Sequence, residues 1–124
     1  MSLQFVLLVG RDPDKLNAMQ AFLAEEAIID CLALQSLPEA SQSIPLYLPD
    51  LVLVQADELE AAGEDVSGFC GHLRDQFFEQ RPVVVVQTST MDPEQRIAYL
   101  VNGADDILTA QLVDEELRIR LLVH

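Results

Sequence analysis

Five short apolar runs, at 5–9, 28–34, 51–54, 83–86 and 107–108, alternate with longer stretches of helical periodicity, and that alternation admits few folds. Three of the runs are nearly continuous valine and leucine, without the polar alternation of a strand that faces water on one side. Such strands are covered on both faces, the condition of parallel strands joined by crossover helices. The sequence therefore predicts a doubly wound α/β domain with a five-stranded parallel sheet. Its 124 residues are enough for one core and too few for two, and a hydrophobic content of 50% argues against disorder.

The intervening segments carry helix punctuation. Asp12 and Pro13 suit the cap and first position of a helix that presents Leu16, Met19, Phe22 and Leu23 to the sheet. Ser36 and Glu39 have capping-box spacing, with Pro38 inside, and Pro45 and Pro49 are expected to stop that second helix. A third helix is predicted over about 66–78, burying Phe69, Leu73 and Phe77, after an acidic stretch at 56–63 that reads as a loop. The fourth opens at Asp92 and Pro93, with Gln95 at capping-box spacing, turns Ile97, Leu100 and Val101 inward, and ends at Gly103. Asp114, Glu115 and Glu116 favour the start of a fifth, whose pattern, with Arg118 and Arg120 exposed, still runs at His124. A continuation of the polypeptide beyond this domain is expected.

Charge narrows the partners. Seven basic and 21 acidic residues give a formal net charge of −14, which repels phosphate backbones and anionic lipid, so direct nucleic-acid or membrane binding is not expected. The first residues lack the basic flank and apolar core of a secretory signal, and the chain is assigned to the cytoplasm. Cys31 and Cys70 have no CxxC spacing and sit in apolar stretches, which predicts reduced, buried thiols.

In open α/β sheets ligands bind beyond the carboxyl ends of the strands. Here those ends are the loops at 10–12, 55–57 and 88–90. The segments that carry them resemble the response regulator receiver family, the CheY-like superfamily, over essentially the whole chain. PDLVLVQ is similar to a third strand that ordinarily reads PDLVLLD and ends in the phosphoacceptor aspartate. RPVVVVQTST resembles the fourth strand with its hydroxyl residue, NGADDILTAQ resembles the fifth-strand motif GADDYLTKP, and DEELRIRLL resembles the last helix. The resemblance implies a flavodoxin-like (βα)5 domain of strand order 2-1-3-4-5, forming the N-terminal part of a longer two-component regulator in phosphorelay signal transduction.

Receiver chemistry needs an aspartate nucleophile, an acidic pair that holds Mg2+, a hydroxyl for the phosphoryl group and a lysine that pairs with it. Aligned on the motifs, the nucleophile is replaced by Gln55 and the acidic pair by Gly10 and Arg11, with Asp12 left from the acidic run. The lysine position is Ala110, the following proline is Gln111, and the switch aromatic is Ile107; Thr88 keeps the hydroxyl. A guanidinium in the metal pocket opposes Mg2+ by like charge, so Mg2+ binding is expected to be lost. What this implies is a degenerate pseudo-receiver, non-enzymatic and phosphorylation-independent, that works through protein contacts.

The implied partners are a sensor kinase, a C-terminal output domain or a second copy. The surface of the fourth helix, fifth strand and fifth helix is proposed for them, through Tyr99, Leu100, Ile107 and Arg118. Two alternatives are kept. A small anion or metabolite would occupy the vacated pocket beside Arg11 and Thr88, or Asp57 would take over as a non-standard phosphoacceptor. Other features have plainer readings: Asp12 as a helix cap, Arg11 paired with Asp12 or Asp57, and His72 as a surface or half-buried histidine. The hydroxyls at 88–90 are expected to satisfy loop backbone, and the acidic stretch, which lacks EF-hand spacing, to be a solvated face.

Overall fold

A computed structural model describes residues 5–25, 30–76 and 81–109. The apolar runs form five parallel strands: β1 (Phe5–Val9), β2 (Asp30–Leu34), β3 (Leu51–Gln55), β4 (Val83–Thr88) and β5 (Asp106–Thr109). Their order is β2-β1-β3-β4-β5, as expected. Registers run Val6 beside Leu51, Leu51 beside Val83 and Val85 beside Asp106, which brings the carboxyl ends of β1, β3 and β4 together at one edge. The helices are α1 (Pro13–Glu25), α2 (Leu37–Tyr47), α3 (Ala56–Ala61), α4 (Val66–Gln76) and α5 (Pro93–Asn102).

Alternate strand residues feed two cores, one on each face of the sheet. Leu7, Val9, Val52, Val54, Val84 and Val86 pack with Ile44 of α2, Leu59 of α3, Phe69 and Leu73 of α4, and Tyr99 of α5. Val6, Leu8, Leu51, Leu53, Val85 and Leu108 pack with Leu16 and Leu23 of α1. Burying a valine or leucine contributes about 1.5–3 kcal/mol, so the double covering makes the central strands the most stable part of the domain.

The N-cap residues are those the sequence predicts, but Gln95 does not close a capping box on Asp92: its side chain donates to Glu60 and Tyr99 instead. Asp12 Oδ1 accepts from the amides of Asp14 and Lys15 at 3.0 and 3.5 Å, Ser36 Oγ from that of Glu39 at 3.2 Å, and Asp92 Oδ1 from that of Glu94 at 3.1 Å. The GADD motif is also structural. Gly103 closes α5 at φ 130°, where a Cβ would lie 2.8 Å from the Cys70 carbonyl oxygen of α4, so α4 and α5 approach closely only over a glycine. Asp105 accepts two guanidinium bonds from Arg81, at 2.8 and 3.1 Å, and one from the Val84 amide at 2.7 Å.

Four expectations are corrected. The acidic stretch is not simply a loop: its first six residues form α3, with Ala56 and Leu59 buried beneath its carboxylates. Pro45 does not stop α2, which runs on to Tyr47 and ends where Leu48 adopts a left-handed φ of 49°; a proline forfeits only its own amide bond, and here that falls in the last turn. On α5 the stripe Ile97, Leu100 and Val101 faces outward, 47–67% exposed, while Tyr99 points into the core. Periodicity locates such a stripe without saying which way it turns. Finally, Cys70 is buried, with its thiol pKa pushed up to about 12 chiefly by desolvation, but Cys31 is only half-buried on the edge strand β2. The expected fifth helix, with Arg118, and Phe77 lie outside the described residues.

Candidate functional site

Gly10, Arg11, Asp12, Gln55 and Thr88 all fall at the carboxyl edge of β1, β3 and β4, where the sequence places them. Ala110 and Gln111 lie outside the described residues. Gln55 ends β3 and is 7% exposed, and a Cβ on Gly10 would run into its Oε1. The amide of Gln55 therefore fills the space above β1 that a side chain at position 10 would need. Its Oε1 is buried with no donor among the described residues. An amide is a poor nucleophile, and this one is packed against backbone.

Arg11 leaves the pocket. Its guanidinium donates to the Gln35 carbonyl at 3.4 Å and stands 3.8 Å from Glu64 Oε2, so its ion pair is with Glu64 rather than with Asp12 or Asp57. Glu64 in turn accepts the Leu37 amide at 2.7 Å, at the start of α2. Asp12, the remaining acid of the run, is taken up by the first turn of α1. This donor set does not suit Mg2+: a glycine, an outward arginine, an amide and a capping carboxylate supply no adjacent pair of free carboxylates. Among the described residues no three His, Cys, Asp or Glu side chains gather as they would around a metal ion.

The polar contacts of this edge gather two residues beyond Gln55, in the first turn of α3. Asp57 accepts from the Thr88 hydroxyl at 2.9 Å and from the Ser89 amide at 3.1 and 3.2 Å. Burial acts to raise the Asp57 pKa, but hydrogen bonds from Ser89 and Thr88 and the charge of Lys15 outweigh it and hold the carboxyl below its ordinary value. A staircase of hydrogen bonds then leads away from it. The Thr90 amide donates to Thr88 Oγ1 at 3.2 Å, the Asp92 amide to Thr90 Oγ1 at 3.3 Å, and the Glu94 amide to Asp92 Oδ1 at 3.1 Å, where α5 begins. The Thr88 and Thr90 hydroxyls thus accept loop amides, while the Thr88 proton goes to Asp57.

One helical turn beyond Asp57, Glu60 makes the second junction. Its Oε1 accepts from the Tyr99 hydroxyl at 2.8 Å and its Oε2 from Gln95 Nε2 at 3.0 Å. Desolvation, followed by the bond to Glu60 and its charge, raises the Tyr99 pKa well above that of a free phenol. Tyr99, 1% exposed, and Ile107, 8% exposed, are therefore core residues and not part of an exposed partner surface. Leu100 does stand outside, beside Ile97 and Val101. His72 is exposed on α4.

Sequence reasoning missed Glu60 and Tyr99 as a connected pair, with Gln95 beside them. The signal that could have found them is the spacing of Asp57 and Glu60, three apart and so on one face if the segment is helical.

No family model matches the chain, and no curated protein does. Solved structures do. The chain is similar to the BeF3-activated N-terminal receiver domain of RstA from Klebsiella pneumoniae, at 26% identity and TM-score 0.84 over 97% of both chains. It is also similar to the receiver domain of a signal transduction histidine kinase from Syntrophus aciditrophicus, at 24% identity and TM-score 0.82, covering 97% of this chain and 88% of that one. A putative response regulator from Chloroflexus aurantiacus aligns at 22% identity and TM-score 0.83, over 97% of this chain and 95% of the other.

Proposed function

We propose that this chain, a CheY-like receiver domain by its fold, is a signalling module that acts through protein contacts without being phosphorylated. The observation that carries the proposal is Gln55, an amide at the strand end, folded over Gly10 where the family's motif places an aspartate. Without a carboxylate there, and with Arg11 drawn off to Glu64, the pocket has neither nucleophile nor a seat for Mg2+. The domain is regulatory rather than catalytic.

Its partners are proteins: a sensor kinase, an output domain or a second copy. Ile97, Leu100 and Val101 form an apolar stripe on the outside of α5 that suits such contacts. The net charge of −14 weighs against nucleic acid. Among the described residues no helix is long and apolar enough to cross a membrane. An anion sensor would need Arg11 and Thr88, and both are already engaged, by Glu64 and by Asp57.

Incubation with acetyl phosphate and Mg2+, followed by intact mass measurement, tests the proposal. The unmodified mass is expected; an acid-labile phosphoryl adduct, at Asp57 or elsewhere, would overturn it.

A further inference from the structure

The hydroxyl that the receiver motif assigns to the phosphoryl group is Thr88, and in this protein it donates to a carboxylate of the chain itself. Asp57 takes both the Thr88 hydroxyl and the next backbone amide, that of Ser89, so one anionic group gathers two donors at the end of β4. We infer that Asp57 is a built-in, permanent occupant of the phosphoryl position, and that its carboxylate fixes the placement of α5.

Three observations support this, and the inference rests on the proposed loss of phosphorylation. First, the hydrogen-bonded staircase through Thr88, Thr90 and Asp92 is unbroken from Asp57 to the first turn of α5, so the carboxylate is joined mechanically to that helix. Second, Asp57 and Glu60 share one face of α3, and Glu60 fastens Tyr99 and Gln95 of α5. The helix is therefore held at two points along its length by one six-residue acidic element. Third, α5 bears the exposed stripe Ile97, Leu100 and Val101, so whatever positions α5 positions that surface. In a phosphorylated receiver the anion arrives and leaves; a carboxylate in the chain is always present. One arrangement of α5 is thus held at all times, and α3 is the element that sets it.

Amide hydrogen exchange on the whole chain tests this. Asp57→Ala is expected to speed exchange about tenfold or more across α5, including amides that Asp57 does not touch, while β1 keeps its protection. Thr88→Val, which keeps the shape but removes the donor and the first step of the staircase, is expected to do the same. Should Asp57→Ala fail to fold, seen as lost protection in β1, Thr88→Val decides. Exchange in α5 unchanged from wild type in the folded variants overturns the inference and leaves the proposed function standing. A phosphoryl adduct in the wild-type chain that alters α5 overturns both.

Discussion

Both ends of the parallel sheet close on an aspartate, but with different company. At the amino-terminal ends, Asp105 is gripped by the forked guanidinium of Arg81 and by the Val84 amide, so its charge is neutralised where β4 and β5 begin. At the carboxyl-terminal ends, Asp57 meets a hydroxyl and an amide, neutral donors both, and keeps its charge. The residues most like the receiver motifs cluster at the first end and the departures from them at the second. Residues that hold the sheet together keep the pattern, and of those that would do chemistry Thr88 keeps it while Gly10, Arg11 and Gln55 do not.

Breaking the amino-terminal end is expected to have the largest effect. Asp105→Ala leaves a partly buried arginine and a strand amide without their acceptor and should cost about 3 kcal/mol in chemical denaturation. A loss under about 1 kcal/mol would erase the contrast between the ends. Tyr99→Phe, which removes a hydroxyl from Glu60, comes next at about 1.5–2 kcal/mol. Because the folded-state pKa of Tyr99 is raised, the same contribution is complete below about pH 10 and is lost as the pH climbs above it. In a Tyr47→Phe background, phenolate absorbance should therefore appear later than in the denatured chain.

Gln55→Leu sharpens the comparison from the other side. Replacing a buried amide whose oxygen has no donor among the described residues by an apolar side chain should be neutral or stabilising by up to about 1 kcal/mol. Gln55→Asp, by contrast, is expected to gain no phosphorylation with acetyl phosphate, because Gly10 and Arg11 still provide no metal ligands. The smallest effect is the acid titration of Asp57. Its folded pKa lies below the unfolded value, so its bonds are fully present above about pH 4 and are lost only as the pH falls through the folded pKa. The Ser89 amide resonance should shift only in that acid range.

Strands and caps were legible because each is written in a few adjacent residues: a run of valines, or Asp92 with Pro93. The direction of α5 was not, since Ile97, Leu100 and Val101 make as good a stripe as Tyr99 makes an anchor, and the contacts that seat Tyr99, Glu60 among them, come from elements distant in sequence. Likewise α3 is too short and too acidic to show a helical apolar pattern; Leu59 and Ala56 are its only buried side chains. Gly10, Gln55 and Thr88 could be placed from motif position alone. The partner of Arg11 could not, because Glu64 reaches it from the segment between α3 and α4, across a distance in sequence that no local pattern spans.

The strand order also has a consequence during synthesis. β1 lies inside the sheet, and β2, the first strand to follow it, takes one of its edges, leaving the other open. β3 closes that edge, and β4 and β5 then extend the sheet in the order in which they leave the ribosome. At each stage there is only one growing edge, and its next partner is the next strand to emerge, so apolar strand surface waits on residues about to arrive and not on a distant terminus.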